Sequence, residues 1–143
     1  MATQIVISNN ESIEVDGFYI TWADKGTAMV VLPETTHYII WNELPGQNEV
    51  QYKDVSTLKM TGNVDLNSTS DAVGSTTIAD LLTWGETRKG QIETATADYS
   101  NAYENALNAW ISGGGTEATF TESEAALAWD WSKTWIDYDP HYS

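Results

Sequence analysis

The side chains that could do acid–base or ligand chemistry in this chain are mostly carboxylates. Its 143 residues include 21 Asp and Glu, 6 Lys and Arg, two His and no Cys. His37 and His141 stand in different segments, and neither has a second base or ligand at a useful spacing. A histidine within an apolar run usually has a packing role, and carboxylate pairs are too common here for one pair to mark a general acid and base.

The short motifs that carry nucleotide binding, serine hydrolysis or zinc proteolysis are also missing from the sequence. Oxygen-bearing residues alternate from Asp65 to Asp71 as in a calcium loop, but the glycine and the final glutamate of such a loop are absent. Without cysteine there can be no thiolate nucleophile, disulfide or zinc–thiolate centre. We therefore expect no enzyme activity, no cofactor and no metal site.

The charge of the chain limits its partners. The formal net charge is −15, with 8 acids and 3 bases in residues 1–60 and 13 acids and 3 bases in residues 61–143. Such a charge repels nucleic acids and anionic membranes, and no apolar run approaches the ~18 residues of a membrane helix. We expect protein partners, including possible homo-oligomers, and neither nucleic-acid binding nor membrane insertion. The 7 Trp and 7 Tyr against 2 Phe favour interfaces.

The elements that would position these side chains begin with a group of strands. Apolar and β-branched runs bounded by turn residues predict strands at residues 4–7, 13–16, 18–22, 28–32, 37–41 and 49–53. Pro33 ends the fourth run, and the turn around Gly46 precedes the last. Because every connection is short, we expect an antiparallel meander in up-and-down order.

A polar stretch and a helical region follow. Residues 61–76 are rich in Gly, Asn, Ser, Thr and Asp, which predicts a linker between a β domain at 1–60 and a helical region at 77–143. A capping pattern at Thr77-x-x-Asp80 and a sustained 3–4 spacing predict a helix over 77–112, ending at the glycines 113–115. The predicted class is α+β: a small N-terminal antiparallel β-meander, a long α-helix, a Gly hinge and a short Trp-rich C-terminal helix.

The C-terminal helix is predicted over 121–136, with a second capping pattern at Thr121-x-x-Glu124, and an aromatic tail ends the chain. A helix of ~35 residues is about 50 Å long, too long for a small sheet to cover. Two interpretations stay open: a helical hairpin within the chain, or a bundle with another protomer or protein. The candidate partner-binding residues are Tyr99, Tyr103, Ala106, Trp110, Leu127, Trp129, Trp131, Trp135, Tyr138 and Tyr142.

The first sixty residues carry a recurrent pattern: an early strand ending in Asp-Gly, then Pro, His and Trp, and a turn into Gly-x-x-Glu-Val-x-Tyr. The matching residues are Asp16, Gly17, Pro33, His37, Trp41, Gly46, Glu49 and Tyr52. This part of the chain resembles small proteins of tailed bacteriophages that are associated with tail fibres or their assembly. The resemblance implies a virion structural protein that acts by protein–protein docking as a tail-fibre or baseplate adaptor or decoration component. It also implies other tail, fibre or baseplate proteins as partners, assembly in the host cytoplasm, and a final location in the tail of the virion.

Three alternatives remain. A tail-fibre assembly chaperone would share these features but leave before the virion matures. A glycan-binding module would use Trp22, Trp41 and Tyr52 as stacking platforms. An acidic mimic of DNA would use carboxylates at phosphate-like spacing.

Overall fold

A six-stranded antiparallel sheet precedes one long helix in the computed structural model, which describes residues 2–44, 46–122, 129–130 and 132–142. The predicted α+β class is confirmed. The strands are β1 Gln4–Ser8, β2 Ser12–Val15, β3 Phe18–Thr21, β4 Thr36–Asn42, β5 Glu49–Lys53, β6 Met60–Asp65, β7 Ala72–Val73 and β8 Thr76–Thr77. The helices are α1 Ile78–Ser112 and α2 Glu117–Glu122, with 3-10 turns at Trp22–Asp24 and Trp135–Tyr138.

The strand order of the large sheet is β3-β2-β1-β4-β5-β6, which differs from the expected up-and-down order. The first three strands form one meander and the last three form another. The two meanders meet where β1 pairs antiparallel with β4, for example Ile5 with Trp41 and Ile7 with Ile39. The connection from β3 to β4 therefore crosses past β2 and β1.

This crossing explains why one predicted strand is wrong. Residues 28–32 form no strand and belong to the connection. Val31 is 85% exposed while Leu32 is buried, and the Asn9 amide donates to the carbonyl oxygens of Thr36 (3.0 Å) and Pro33 (3.4 Å). A short apolar run without alternation does not specify a strand by its pattern alone, and here β1 takes β4 as its neighbour instead.

One face of the sheet holds the core. The alternating residues that point to it are all buried: Ile5, Ile7, Ile13, Val15, Ile20, Ile39, Trp41 and Val50. The first turns of α1 pack on this face, since Gly85 lies directly against Val15 and Ile5. Each fully buried isoleucine contributes about 1.5–3 kcal/mol to folding, so this layer is the main source of stability in the sheet.

The segment predicted as a polar linker, residues 61–76, contains strands. Residues 60–65 form β6, which pairs with β5, and β7 pairs with β8 just before α1. The chain divides into two compact units within α1. The sheet unit runs to Gly90 and includes His141 and Tyr142, and the helical unit covers residues 91–140. In the sheet unit, the Thr27 N–H donates to the His141 carbonyl oxygen at 3.0 Å.

Helix α1 begins and ends close to its predicted limits. Its start carries the predicted capping box, because the Asp80 N–H donates to Thr77 Oγ1 (3.2 Å) and the Thr77 N–H to Asp80 Oδ2 (3.5 Å). The helix ends at Ser112, before the three glycines. Neither α1 nor another helix in the described ranges combines the length and apolar character needed to cross a membrane.

The predicted C-terminal helix differs from the structure in the part that is described. Residues 129–130 and 132–134 are not helical, and regular structure lies instead at α2 and at the 3-10 turn Trp135–Tyr138. Residues 123–128, including Glu124 of the second capping pattern, lie outside the described residues.

Candidate functional site

Aromatic side chains of the helical unit form a cluster on one face of α1. Phe120 and Trp129 are buried there, at 0% and 6% exposure. The residues of α1 that pack against them are partly buried and follow helical spacing: Tyr99, Ala102, Tyr103, Ala106, Leu107 and Trp110. The candidate partner-binding residues Tyr99, Tyr103, Ala106 and Trp110 thus lie on a single helix face, and residues of the same chain cover part of this face.

The ring geometry of this aromatic cluster is that of packed, edge-to-face pairs. Tyr103 lies 5.4 Å from Trp129 and 5.6 Å from Phe120, between ring centroids. Tyr99 lies 5.7 Å from Trp129 and 6.1 Å from Tyr138. Such pairs contribute about 0.5–1.5 kcal/mol each beyond the burial of area, so the cluster organises the helical unit from within.

The remaining predicted partner-binding residues are distributed over both units. Trp135 and Tyr138 are half-buried in the helical unit, and Lys133 Nζ lies 5.7 Å from the centroid of the Tyr138 ring. Tyr142 is half-buried and belongs to the sheet unit. Leu127 and Trp131 lie outside the described residues.

Gly115, the last residue of the predicted glycine hinge, has a packing role. The indole N–H of Trp110 donates to the Thr116 carbonyl oxygen and to Thr119 Oγ1, both at 3.1 Å. A Cβ on Gly115 would collide with this indole. The absence of a side chain at Gly115 therefore allows Trp110 to lie across the backbone and fix the turn between α1 and α2.

A polar cavity of about 430 Å³ lies in the sheet unit, where β5 begins and β6 ends. It is lined by Gly46, Gln47, Asn48, Glu49, Asn63, Asp65, Leu66 and Asn67. The Glu49 carboxylate accepts hydrogen bonds from Asn63 Nδ2 (2.6 Å) and Gln51 Nε2 (3.0 Å). These carboxylate and amide groups can bind polar groups by hydrogen bonding, and they include no nucleophile beside a base.

The cavity does not have the composition of a metal centre. Among the residues that the structure describes, no three His, Cys, Asp or Glu side chains are grouped to hold a metal ion. In the segment compared with a calcium loop, Asp71 instead accepts from the backbone N–H groups of Asn67 (2.7 Å) and Ser68 (3.1 Å). Its carboxylate closes a local turn.

Asp16 and Gly17, the first two residues of the bacteriophage-like pattern, form the hairpin turn between β2 and β3. Their φ angles are 48° and 82°, and two residues with positive φ between paired strands make a type I′ turn. Burial acts to raise the pKa of Asp16, but hydrogen bonds from the Thr3 and Gln4 N–H groups and the Thr3 hydroxyl lower it below 3.8. The carboxylate thus ties the turn to the start of β1.

Of the other residues of this pattern, Gly46 and Glu49 line the polar cavity. Trp41 is 7% exposed in the core, so its ring is not a platform for a glycan. Pro33, His37 and Tyr52 are half-buried. Trp22, another proposed platform, is half-buried, with Lys25 Nζ 5.4 Å from its ring centroid.

Two features of the sheet unit were not predicted. Arg88 is only 1% exposed and donates from Nε to the Asp24 carbonyl oxygen at 2.8 Å, which ties the connection after β3 to α1. Arg88 follows Leu81, Trp84 and Gly85 by seven, four and three residues, which places it on the same apolar helix face, and this spacing was the available signal. The second feature is β6, whose six residues are all exposed.

The geometry defines an α+β protein with an aromatic cluster on its long helix and a polar cavity at one end of its sheet. No family model, no curated protein and no solved structure matches the chain.

Proposed function

We propose that this protein is a structural component of a bacteriophage tail that joins or decorates fibre or baseplate subunits by protein–protein docking. The setting is supported by the resemblance of residues 1–60 to tail-fibre-associated proteins. In the host cytoplasm it would join the assembling tail, and it would remain in the virion.

The observation that carries the proposal is the aromatic surface of the helical unit. Tyr99, Tyr103, Trp110, Trp135 and Tyr138 stay half-buried after packing within their own unit. Trp and Tyr are the residues that most often anchor interfaces, because each has a large apolar face and a polar tip. A strongly acidic chain with such a surface suits a docking role better than a catalytic one.

The test is native mass spectrometry of the purified chain with the fibre and baseplate proteins encoded beside its gene. We expect a defined complex that the Trp135→Ala variant weakens at least about tenfold, as for an interface tryptophan. Trp22→Ala is the matched control, because Trp22 is also half-buried but lies in the sheet unit. Equal binding by wild type and Trp135→Ala would contradict docking through the helical unit.

Mass spectrometry of purified virions separates the structural role from that of an assembly chaperone. We expect the chain in mature particles at a fixed ratio to a fibre or baseplate protein. Its presence in assembling tails together with its absence from mature particles would replace the structural role by the chaperone role.

A further inference from the structure

The hairpin β5–β6 and its loop, residues 49–65, carry an unusual share of the exposed apolar surface. Eight large apolar side chains are exposed among the described residues, and half of them lie here. They are Val55 (50%), Leu58 (64%), Met60 (52%) and Val64 (55%). Strand β6 is also the edge of the sheet and is exposed along its whole length. An exposed edge strand presents unpaired backbone groups and is a template for pairing with another strand.

The backbone of β6 has hydrogen-bonding groups directed away from the sheet. The Leu66 N–H donates to the Asn48 carbonyl oxygen at 2.8 Å, and Val64 is the Cα partner of Val50. Since the direction alternates along an antiparallel strand, the N–H and C=O groups of Asn63 and Asp65 point outward. A β-bulge near Gly62 interrupts the ladder on one side, so the regular free edge runs from Gly62 to Leu66.

The hairpin is held in shape before any partner arrives. In its loop the Asp54 carboxylate accepts hydrogen bonds from Ser56 Oγ (2.7 Å), the Ser56 N–H (2.9 Å) and the Thr57 N–H (2.9 Å). The Leu58 N–H donates to the Asp54 carbonyl oxygen at 2.8 Å. A preorganised edge loses little conformational entropy when it binds.

The charge of this hairpin permits a second copy of the chain as its partner. Residues 49–65 hold three acids and two bases, a net charge of −1, while the rest of the chain holds 18 acids and 4 bases, a net charge of −14. A basic partner would be drawn to the rest of the surface. Per residue, a second copy of this acidic chain is repelled less by the hairpin, at −1 over 17 residues, than by the average of the rest, at −14 over 126 residues. Two-fold homodimers are also the commonest assemblies.

We propose that two copies of this protein associate through β6, in antiparallel pairing about a two-fold axis at Val64. Val64 then faces Val64 of the second copy, and Asn63 faces Asp65 of the second copy. The outward N–H and C=O groups of Asn63 and Asp65 exchange four backbone hydrogen bonds. The two sheets become one, and the exposed Val64 side chains cover each other. This dimer is independent of docking by the helical unit.

The opposite edge of the sheet is the matched control. Strand β3 is also an edge strand, and Tyr19 on it is 59% exposed, close to the 55% of Val64. The inward-facing Ile20 is buried, however, so β3 is covered on one face. A surface that associates merely because it is an edge would use β3 as readily as β6.

The first test is the mass in solution by sedimentation or light scattering. We expect wild type at twice the chain mass of 15.8 kDa and Val64→Lys at the chain mass, because two lysines would face each other across the axis. Tyr19→Lys should remain a dimer. Association should strengthen with added salt, since salt screens the repulsion between two acidic chains. A monomeric wild type, or a dimer that Val64→Lys leaves intact, would overturn the proposal.

The second test uses the absence of cysteine in the chain and does not depend on the folding of the lysine variant. Residues directly opposite in a pair without backbone hydrogen bonds have Cα atoms about 4.5 Å apart, within the range that a disulfide spans. Mild oxidation should therefore convert Val64→Cys almost wholly into a covalent dimer. Tyr19→Cys should cross-link only at the rate of random collision, and equal cross-linking of both variants would contradict the proposed axis.

Discussion

Two glycines of α1, Gly85 and Gly90, provide a quantitative test of how the helix packs on the sheet. Replacing a helical glycine by alanine stabilises the helix by about 1 kcal/mol, because alanine loses less backbone entropy. At Gly90 a new Cβ meets nothing within 4 Å, so Gly90→Ala should stabilise the chain by that full amount.

At Gly85 the same gain is opposed by a collision. The new Cβ would lie 2.9 and 3.1 Å from the two methyl groups of Val15 and 3.4 Å from Ile5 Cδ1, whereas the optimum between carbon atoms is about 3.5–4.0 Å. Val15 and Ile5 are both 0% exposed, so neither can move without cost. Overpacking of this kind costs about 1–3 kcal/mol, which makes Gly85→Ala between neutral and about 2 kcal/mol destabilising.

The measurement is the free energy of unfolding by urea, followed by circular dichroism for both variants and wild type. The difference between the two variants isolates the packing cost, since both gain the same helix propensity. In a double-mutant cycle, Val15→Ala should remove most of the penalty of Gly85→Ala. If Gly85→Ala stabilises the chain as much as Gly90→Ala does, the close packing of α1 on the sheet is refuted.

Three further predictions test other parts of the structure. Gly26→Ala and Gly17→Ala both place alanine at a φ near +80°, and this left-handed conformation costs each variant about 1–2 kcal/mol of stability. Only Gly26→Ala also brings a Cβ to 2.8 Å from Arg88 Nε. The free energy of unfolding by urea should therefore fall further for Gly26→Ala, by about 1–3 kcal/mol, and equal losses in the two variants would contradict the contact. Because the folded chain lowers the pKa of Asp16 below 3.8, the stabilisation by this carboxylate is present above that pH and is lost as the pH falls through the folded pKa. The free energy of unfolding should therefore fall less steeply with decreasing pH for Asp16→Asn, a variant that keeps the turn. An unchanged pH dependence would show that Asp16 is not stabilised as a carboxylate. Phe120→Ala should destabilise the helical unit by about 3–5 kcal/mol, measured by tryptophan fluorescence and helicity, and an unaltered spectrum would mean that the aromatic cluster is not a core.

Local patterns predicted the elements whose residues alternate or repeat clearly. The strands that became β1, β2, β3, β4 and β5 are apolar and β-branched runs bounded by turn residues. The capping box at Thr77 marks the start of α1 to within one residue. The candidate residues from Tyr99 to Trp110 were placed within this predicted helix, and the structure brings them onto one of its faces. Each of these features depends on residues close together in sequence.

The features that were missed depend on distant partners. Strand β6 has the glycine and asparagine of a loop and is a strand because the edge of β5 is available to it. Residues 28–32 have strand-like composition but cross between meanders, because β1 pairs with β4. The aromatic residues of α1 are partly covered because Phe120 and Trp129 pack against them. The spacing of residues along the helix does not specify this contact.

The amino-acid sequence alone determined the class of the fold, the long helix with its caps, the strongly acidic surface and the lack of recognised catalytic motifs. These follow from short-range periodicity, side-chain chemistry and composition. Only the tertiary structure decided the strand order, the burial of Arg88 and Trp41, and the exposure of β6 on both faces. The physical reason is that these properties arise from contacts between segments far apart in the chain, and the choice among such contacts is made by the packing of the whole unit.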